Sequence, residues 1–243
     1  MTSSHAAGPG GAASAGAPLG APREIEVGGE PLTLRRATPA DASGLHAFFL
    51  GLPAADLLVL RRDVTDGRHI DAWMEEIERG ETVTVIAESE GTVLGEATLH
   101  LTGVPWSRHV GIVRVFTARE QRGRGLGRIL IEEICALAPA LGIEKLVAEM
   151  TVGQTAAKGL LGHLGFAEEA RLRGAVKDRH GRPHDLIMMT RGLPEEPATA
   201  AGDGRPVAWR CTACGVVTHA PEPPNRCADC GAGPGFLLRA DEE

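Results

Sequence analysis

Apolar positions recur along this chain with two periods, and the switches between them mark out the elements. Leu32–Arg36 alternates as a strand, and Pro39-Ala40-Asp41 opens a helix that runs to about Leu50. From Asp66 to Arg79 the apolar residues Ile70, Trp73, Met74 and Ile77 fall at helical spacing. Three strands follow, over Thr82–Glu88, Thr92–Leu101 and His109–Thr117. The Glu90-Gly91 turn predicts that the first two form an antiparallel hairpin. Gly125–Leu141 predicts a long helix with Leu130, Ile131, Ile134, Leu137, Ala138 and Leu141 on one face. A strand at Lys145–Met150 and a helix at Gln154–Leu164 come next, the helix stopped by Gly165. Arg171–Lys177 and His184–Thr190 flank an Asp178-Arg179-His180-Gly181 turn and close the pattern as a second hairpin.

Composition frames this periodic region at both ends. Residues 1–22 carry no Lys, Arg, Asp or Glu and consist mostly of Gly, Ala, Pro and Ser, the signature of a tail that cannot offset its ordering entropy. Residues 192–208 are broken by Pro194, Pro197, Gly202, Gly204 and Pro206 and are expected to be a linker. The expected organisation is therefore a tail over 1–22, a mixed α and β domain over 23–191, a linker over 192–208 and a small module over 209–243. No stretch approaches the roughly 20 apolar residues of a membrane helix. A net charge of −7 disfavours nucleic acid as the main partner. With no signal-peptide pattern and cysteines in metal-type spacing, the chain is expected to be soluble and cytoplasmic, with no membrane partner.

Chemistry concentrates in Gln121-Arg122-Gly123-Arg124-Gly125-Leu126-Gly127, set between a strand and a helix. Three glycines permit a tight turn that points successive amides at one spot, and the helix adds its unsatisfied N–H groups and positive end. Arg122, Arg124 and Arg128 strengthen this anion cradle. A phosphate loop of the nucleotide-hydrolase type is excluded because Gly-Lys-Ser/Thr is missing. A dinucleotide fingerprint is excluded because the third glycine comes one position early and antiparallel strands precede the loop.

Arg122-x-x-Gly125-x-Gly127 resembles the R/Q-x-x-G-x-G signature of the GNAT N-acetyltransferases. The order of elements fits that family over residues 30–191. Gln154 through Phe166 resembles its helix ending in Leu-Gly-Phe, and Asp178–Met189 resembles its C-terminal hairpin. The resemblance implies an α+β (α/β) fold with a mixed, mostly antiparallel sheet flanked by helices. It implies transfer of an acetyl group from acetyl-CoA to an amine acceptor, small molecule or protein, by direct attack in a ternary complex. Loop amides from Arg122, Gly123, Arg124, Gly125, Leu126, Gly127 and Arg128 would then hold the coenzyme pyrophosphate. The preceding strand, at Val115, Phe116 and Thr117, would align the pantetheine. The N–H of Val115 would polarise the thioester carbonyl, an oxyanion-hole role.

Two positions depart from the family. Its usual asparagine is Gln154, and the tyrosine that protonates the departing thiolate is Leu161, in a chain with no tyrosine. The departure keeps open an alternative, a catalytically weak acyl-CoA sensor. For the base that takes the amine proton, Glu149 is the first choice, at a position often acidic in relatives. Glu96 is the second, on a strand face with Thr98 and His100. His109, beside Trp106, and Arg61-Arg62-Asp63 are further candidates for the acceptor side.

Four of the five cysteines form two CxxC pairs, Cys211/Cys214 and Cys227/Cys230, each followed by glycine. Two such turns complete a tetrahedral four-thiolate site, in a segment too short to build a core without metal. With Trp209 and Phe236 the segment resembles the rubredoxin-like module of rubrerythrins. Zinc in a structural role is expected, with iron and electron transfer as the alternative, and the module is a candidate for protein docking. Arg226 and Arg239 against Glu222, Asp229, Asp241, Glu242 and Glu243 disfavour DNA here. The remaining Cys135 is expected to pack in the core.

Overall fold

A computed structural model describes residues 21–193, 207–220, 224–233 and 237–239. The expected tail up to residue 20, most of the expected linker and Phe236 lie outside them.

The main sheet has eight strands: β1 (Arg23–Val27), β2 (Glu30–Arg36), β3 (Thr82–Ser89), β4 (Thr92–Leu101), β5 (Val110–Thr117), β6 (Lys145–Thr151), β7 (Ala167–Lys177) and β8 (Pro183–Gly192). They lie in the order β1-β2-β3-β4-β5-β6-β8-β7. Every pairing is antiparallel except β5 with β6. The hairpin expected at Glu90-Gly91 forms, with Ser89 opposite Thr92. Strand β1 was not anticipated, although Arg23-Glu24-Ile25-Glu26-Val27 alternates and runs into a Gly28-Gly29 turn, which is a hairpin signal.

Four helices cover the sheet: α1 (Ala42–Leu50), α2 (Gly67–Glu78), α3 (Leu126–Leu137) and α4 (Thr155–His163). Helix α2 is capped by the Asp66 carboxylate, which accepts from the Arg68 N–H at 3.0 Å. Helix α3 is shorter than its periodicity predicts. Pro139 has no N–H for a helical bond and disfavours helix before it, so the chain passes into a 3-10 turn over Pro139–Leu141.

Two hydrophobic clusters occupy the two faces of the sheet. Leu126, Leu130, Ile131 and Ile134 of α3 join Leu161 of α4 against Val85, Ala97 and Leu99. On the other face Phe48 and Phe49 of α1 and Ile70 and Trp73 of α2 meet Ile86 and Phe116. Neighbouring residues of β4 and β5 therefore point alternately into opposite layers, and polar ones on the α1/α2 side enter an otherwise apolar cluster.

A second sheet, β10-β9-β11, is built by β9 (Val207–Cys211), β10 (Val217–Ala220) and β11 (Leu237–Arg239). Strand β9 begins two residues inside the segment expected as linker, and β8 runs to Gly192 at its other end. Cys135 is half-buried on α3, where its sulfur accepts from Arg191 Nη1 at 3.3 Å.

Candidate active site and metal knuckle

Strands β5 and β6 part company halfway along. Their parallel pairing runs from Val110 opposite Lys145 to Val113 opposite Ala148 and then ends. Strand β6 continues on β8 through Thr151, and β5 continues on β4 through Thr117. One edge of β5 beyond Val113 is thus released into a wedge-shaped opening. Backbone groups alternate along a strand, and the ends of β5 fix their sense. Ala118 donates its N–H to the Leu94 carbonyl on β4, at 2.8 Å. On the other side, the His109 carbonyl accepts from Glu144 at 2.8 Å and Lys145 at 3.1 Å, towards β6. The N–H and C=O groups of Val115 and Thr117 therefore face the opening. Phe116 turns its backbone to β4, and its ring meets Phe49 with centroids 5.5 Å apart.

The glycine loop lies at the wide end of this opening. Gly125 is the N-cap of α3 in the left-handed region, φ 97°, where a side chain would be strained. Gly123 is also left-handed at φ 71°, so the loop turns tightly just ahead of the helix. Each loop arginine has an acidic partner. Arg122 reaches Asp56 at 2.6 Å, Arg124 reaches Glu30 at 3.0 Å and Arg128 reaches Glu132 at 2.8 Å. Arg124 also donates to the Gly28 carbonyl at 2.9 Å, which ties the β1–β2 turn to the loop. The Arg122 and Arg128 amides donate to the Arg119 and Gly125 carbonyls at 3.3 and 3.1 Å, so the amides from Gly123 to Gly127, with the helix end, are the anion-binding groups that remain in this segment.

On the α1/α2 side of β4 and β5 lies a cavity of about 430 Å³, lined among others by Glu96, His100, Arg114, Trp73, Arg61 and Arg62. Glu96 is 1% exposed. One carboxylate oxygen accepts from the Thr98 hydroxyl at 2.8 Å, which in turn lies 2.8 Å from the Thr84 hydroxyl. Burial pushes the Glu96 carboxyl up to about 8, against the lowering pull of Thr98 and the Arg114 charge. His100 moves the other way, down to about 4, because burial and then the charges of Arg114, Arg62 and Arg61 oppose its protonation. At neutral pH the cavity thus holds a protonated acid beside a neutral imidazole.

Glu149 sits differently. Its two oxygens bind Arg61 Nη2 and Arg114 Nη2, each at 3.2 Å, and it does not line the cavity. The sequence pattern placed Trp73 only on the apolar face of a helix and did not single out Arg114. A lone arginine inside the apolar run of β5 was the available signal. Both side chains keep a buried donor, Arg114 Nε and Trp73 Nε1, without a partner among the described residues. On the α4 side, Gln154 Oε1 accepts from the Thr151 N–H at 2.8 Å and closes the end of β6. Leu161 is buried in the α3/α4 cluster.

The four knuckle cysteines come together, with all four sulfurs within 4.8 Å of one another. Cys211 and Cys230 are 3.6 Å apart, as are Cys214 and Cys227. Tetrahedral thiolates at ~2.3 Å from a metal lie ~3.8 Å from each other, so the set fits such a site. Both CxxC turns close alike: Gly215 donates to the Cys211 carbonyl at 2.7 Å and Gly231 to the Cys227 carbonyl at 2.8 Å. Trp209 Nε1 donates to the Ala220 carbonyl at 3.1 Å and holds β9 to β10.

Sheet, opening and glycine loop together define an acyl-CoA-dependent N-acetyltransferase. Residues 55–166 match the Acetyltransferase (GNAT) family. The chain is similar to the L-methionine sulfoximine/L-methionine sulfone acetyltransferase of Pseudomonas aeruginosa, at 29% identity over 66% of this chain and 94% of the relative. Among solved structures it is similar to the ribosomal-protein-alanine N-acetyltransferase of Brucella melitensis, with a TM-score of 0.59 and 28% identity over 66% of this chain and 99% of that one. It also shares the fold of a phosphinothricin acetyltransferase from Sinorhizobium meliloti solved with acetyl-CoA, with a TM-score of 0.58 and 23% identity over 71% of this chain and 94% of that one. No helix among the described residues is long and apolar enough to cross a membrane.

Proposed function

We propose that this chain transfers an acetyl group from acetyl-CoA to the free amine of a small, amino-acid-like acceptor within one ternary complex. The observation that carries this reading is the pair of unpartnered buried donors, Arg114 Nε and Trp73 Nε1, on residues lining the same cavity as Glu96. A buried donor without a partner is costly, and a carboxylate or sulfur-bound oxygen of the acceptor relieves both. The compounds in the name of the Pseudomonas relative carry those groups beside an amine.

In this reading the pantetheine extends along the free edge of β5, and the pyrophosphate rests on the amides from Gly123 to Gly127 within the Arg122–Arg128 loop. The thioester oxygen accepts from the Val115 N–H. The neutral amine attacks the carbonyl carbon, a C–N bond forms, and the C–S bond breaks as coenzyme A thiolate departs. Glu96, in its ionised form, takes the amine proton directly or through one water. Glu149 is held by two guanidinium groups and positions Arg114. Leu161 has no proton to give, so water protonates the thiolate. The knuckle holds zinc through Cys211, Cys214, Cys227 and Cys230 in a structural role outside the transfer.

The test is coenzyme A release, followed by mass spectrometry, with L-methionine sulfone, its methyl ester and butylamine as acceptors. Release with the free acid that falls at least tenfold with the ester and with butylamine is the expected result. Arg114→Met should raise the acceptor KM by about tenfold, the loss of one charge-assisted bond, with acetyl-CoA binding intact. Equal turnover of acid, ester and butylamine sinks the proposed acceptor class.

A further inference from the structure

The knuckle is not a free appendage among the described residues. Arg108 Nη1 lies 3.6 Å from the Cys230 sulfur, and Arg108 Nε donates to the Pro105 carbonyl at 3.1 Å. Arg108 is 9% exposed, so this guanidinium is a buried link between the second CxxC turn and the β4–β5 loop. That loop is folded on itself by the contact of Thr102 with Ser107, 3.3 Å between their hydroxyls, and by Ser107 N–H to the Val104 carbonyl at 3.1 Å. Its first residues, Thr102 and Gly103, line the acceptor cavity.

Two more contacts hold the same turn against the domain. Arg226 pairs with Glu144 in the connection that leads into β6. Gly233 approaches so closely that a side chain there would come within 2.9 Å of the Gly142 Cα. Glu144 in turn donates its N–H to the His109 carbonyl at 2.8 Å, at the far end of the loop. The second turn of the knuckle therefore clamps both the loop and the segment that anchors its end.

We infer that the metal-loaded knuckle is a brace for the acceptor side of the active site: it holds the 102–109 loop in place through Arg108 and Gly233. The metal fixes the position of Cys230, whose thiolate carries excess negative charge, and Arg108 answers that charge in the way outer-shell donors do around metal thiolates. Arg108 is a positioning residue and touches no reacting atom. The glycine loop and the free edge of β5 lie away from these contacts, so acceptor binding depends on the metal and acetyl-CoA binding does not. The dependence on an acceptor cavity rests on the proposed function, while the clamping of the loop does not.

The experiment is amide hydrogen exchange on the full chain, metal-loaded and chelator-stripped, with metal content measured in parallel. The loaded protein should hold one zinc per chain. Stripping should speed exchange across 102–109 by about fivefold or more, with the loop at 122–128 unchanged. Gly233→Val should do the same with zinc retained, and Arg108→Met is the second route to undocking should the valine variant not fold. Arg108→Lys should restore part of the protection. With L-methionine sulfone as the acceptor, both undocked variants should raise KM about fivefold at constant acetyl-CoA affinity. Absence of bound metal, or equal exchange of 102–109 in loaded and stripped protein, overturns the inference. Altered exchange with no turnover of the sulfone would uphold the brace and count against the proposed acceptor instead.

Discussion

Glu96 is placed where a carboxyl suits a proton acceptor for an amine, because burial raises its affinity for protons to that of a weak base near pH 8. The rate with a low-pKa amine should therefore climb through about pH 8. Glu96→Gln should remove that limb and lower kcat by ~10²-fold. Thr98→Val deletes the hydrogen bond that favours the ionised form, so the same limb should move to higher pH. Stability follows with a fixed sign. The unfolded chain releases this proton near the ordinary value of 4.5, and the folded chain keeps it to about 8. Across that window the native state binds more protons, so stability falls as pH rises. Thermal melting of wild type between pH 5 and 8 should decline more steeply than that of Glu96→Gln, and parallel curves would refute the raised carboxyl. At this scale the alternation of Glu96, Thr98 and His100 was legible from sequence. The engagement of Glu149 was not, because its partners Arg61 and Arg114 stand 88 and 35 residues away.

Elements were easier to read than their ends. The hairpins and amphipathic helices follow from period and turn chemistry, whereas α3 stops early because one proline outweighs an unbroken apolar face. The glycine loop was legible as an anion cradle, but the acids that pair with its arginines come from β2, the segment before α2 and α3 itself. Asp56 and Glu30 are distant in sequence and gave no local sign. Gly125→Val places a branched side chain at φ 97° and should weaken acetyl-CoA binding by at least tenfold, read by calorimetry. Because the loop arginines are already paired, coenzyme affinity should depend only shallowly on salt, and a steep dependence would show that the arginines change partners on binding.

For the whole molecule, both modules were legible in outline, since each carries its own motif. Their contact was not. It depends on a glycine-to-glycine approach and on one buried arginine, features that no periodicity records. Metal removal should thus register in the acetyltransferase domain as well as in the knuckle. Calorimetric scans of stripped protein are expected to show a lower transition for the main domain, and an unchanged one would mean the two parts unfold independently.

The parting of β5 and β6 carries a consequence for self-association. Unpaired strand edges invite foreign strands and are usually found at the rim of a sheet. Here the unpaired edge lies in the interior, walled in by β4 on one side and by β6 and β8 on the other. A foreign strand would have to fit between strands of the same sheet to pair with it. The geometry proposed to admit a pantetheine arm should therefore keep out another protein's strand, so that the open seam lacks the usual hazard of sticking to its neighbours.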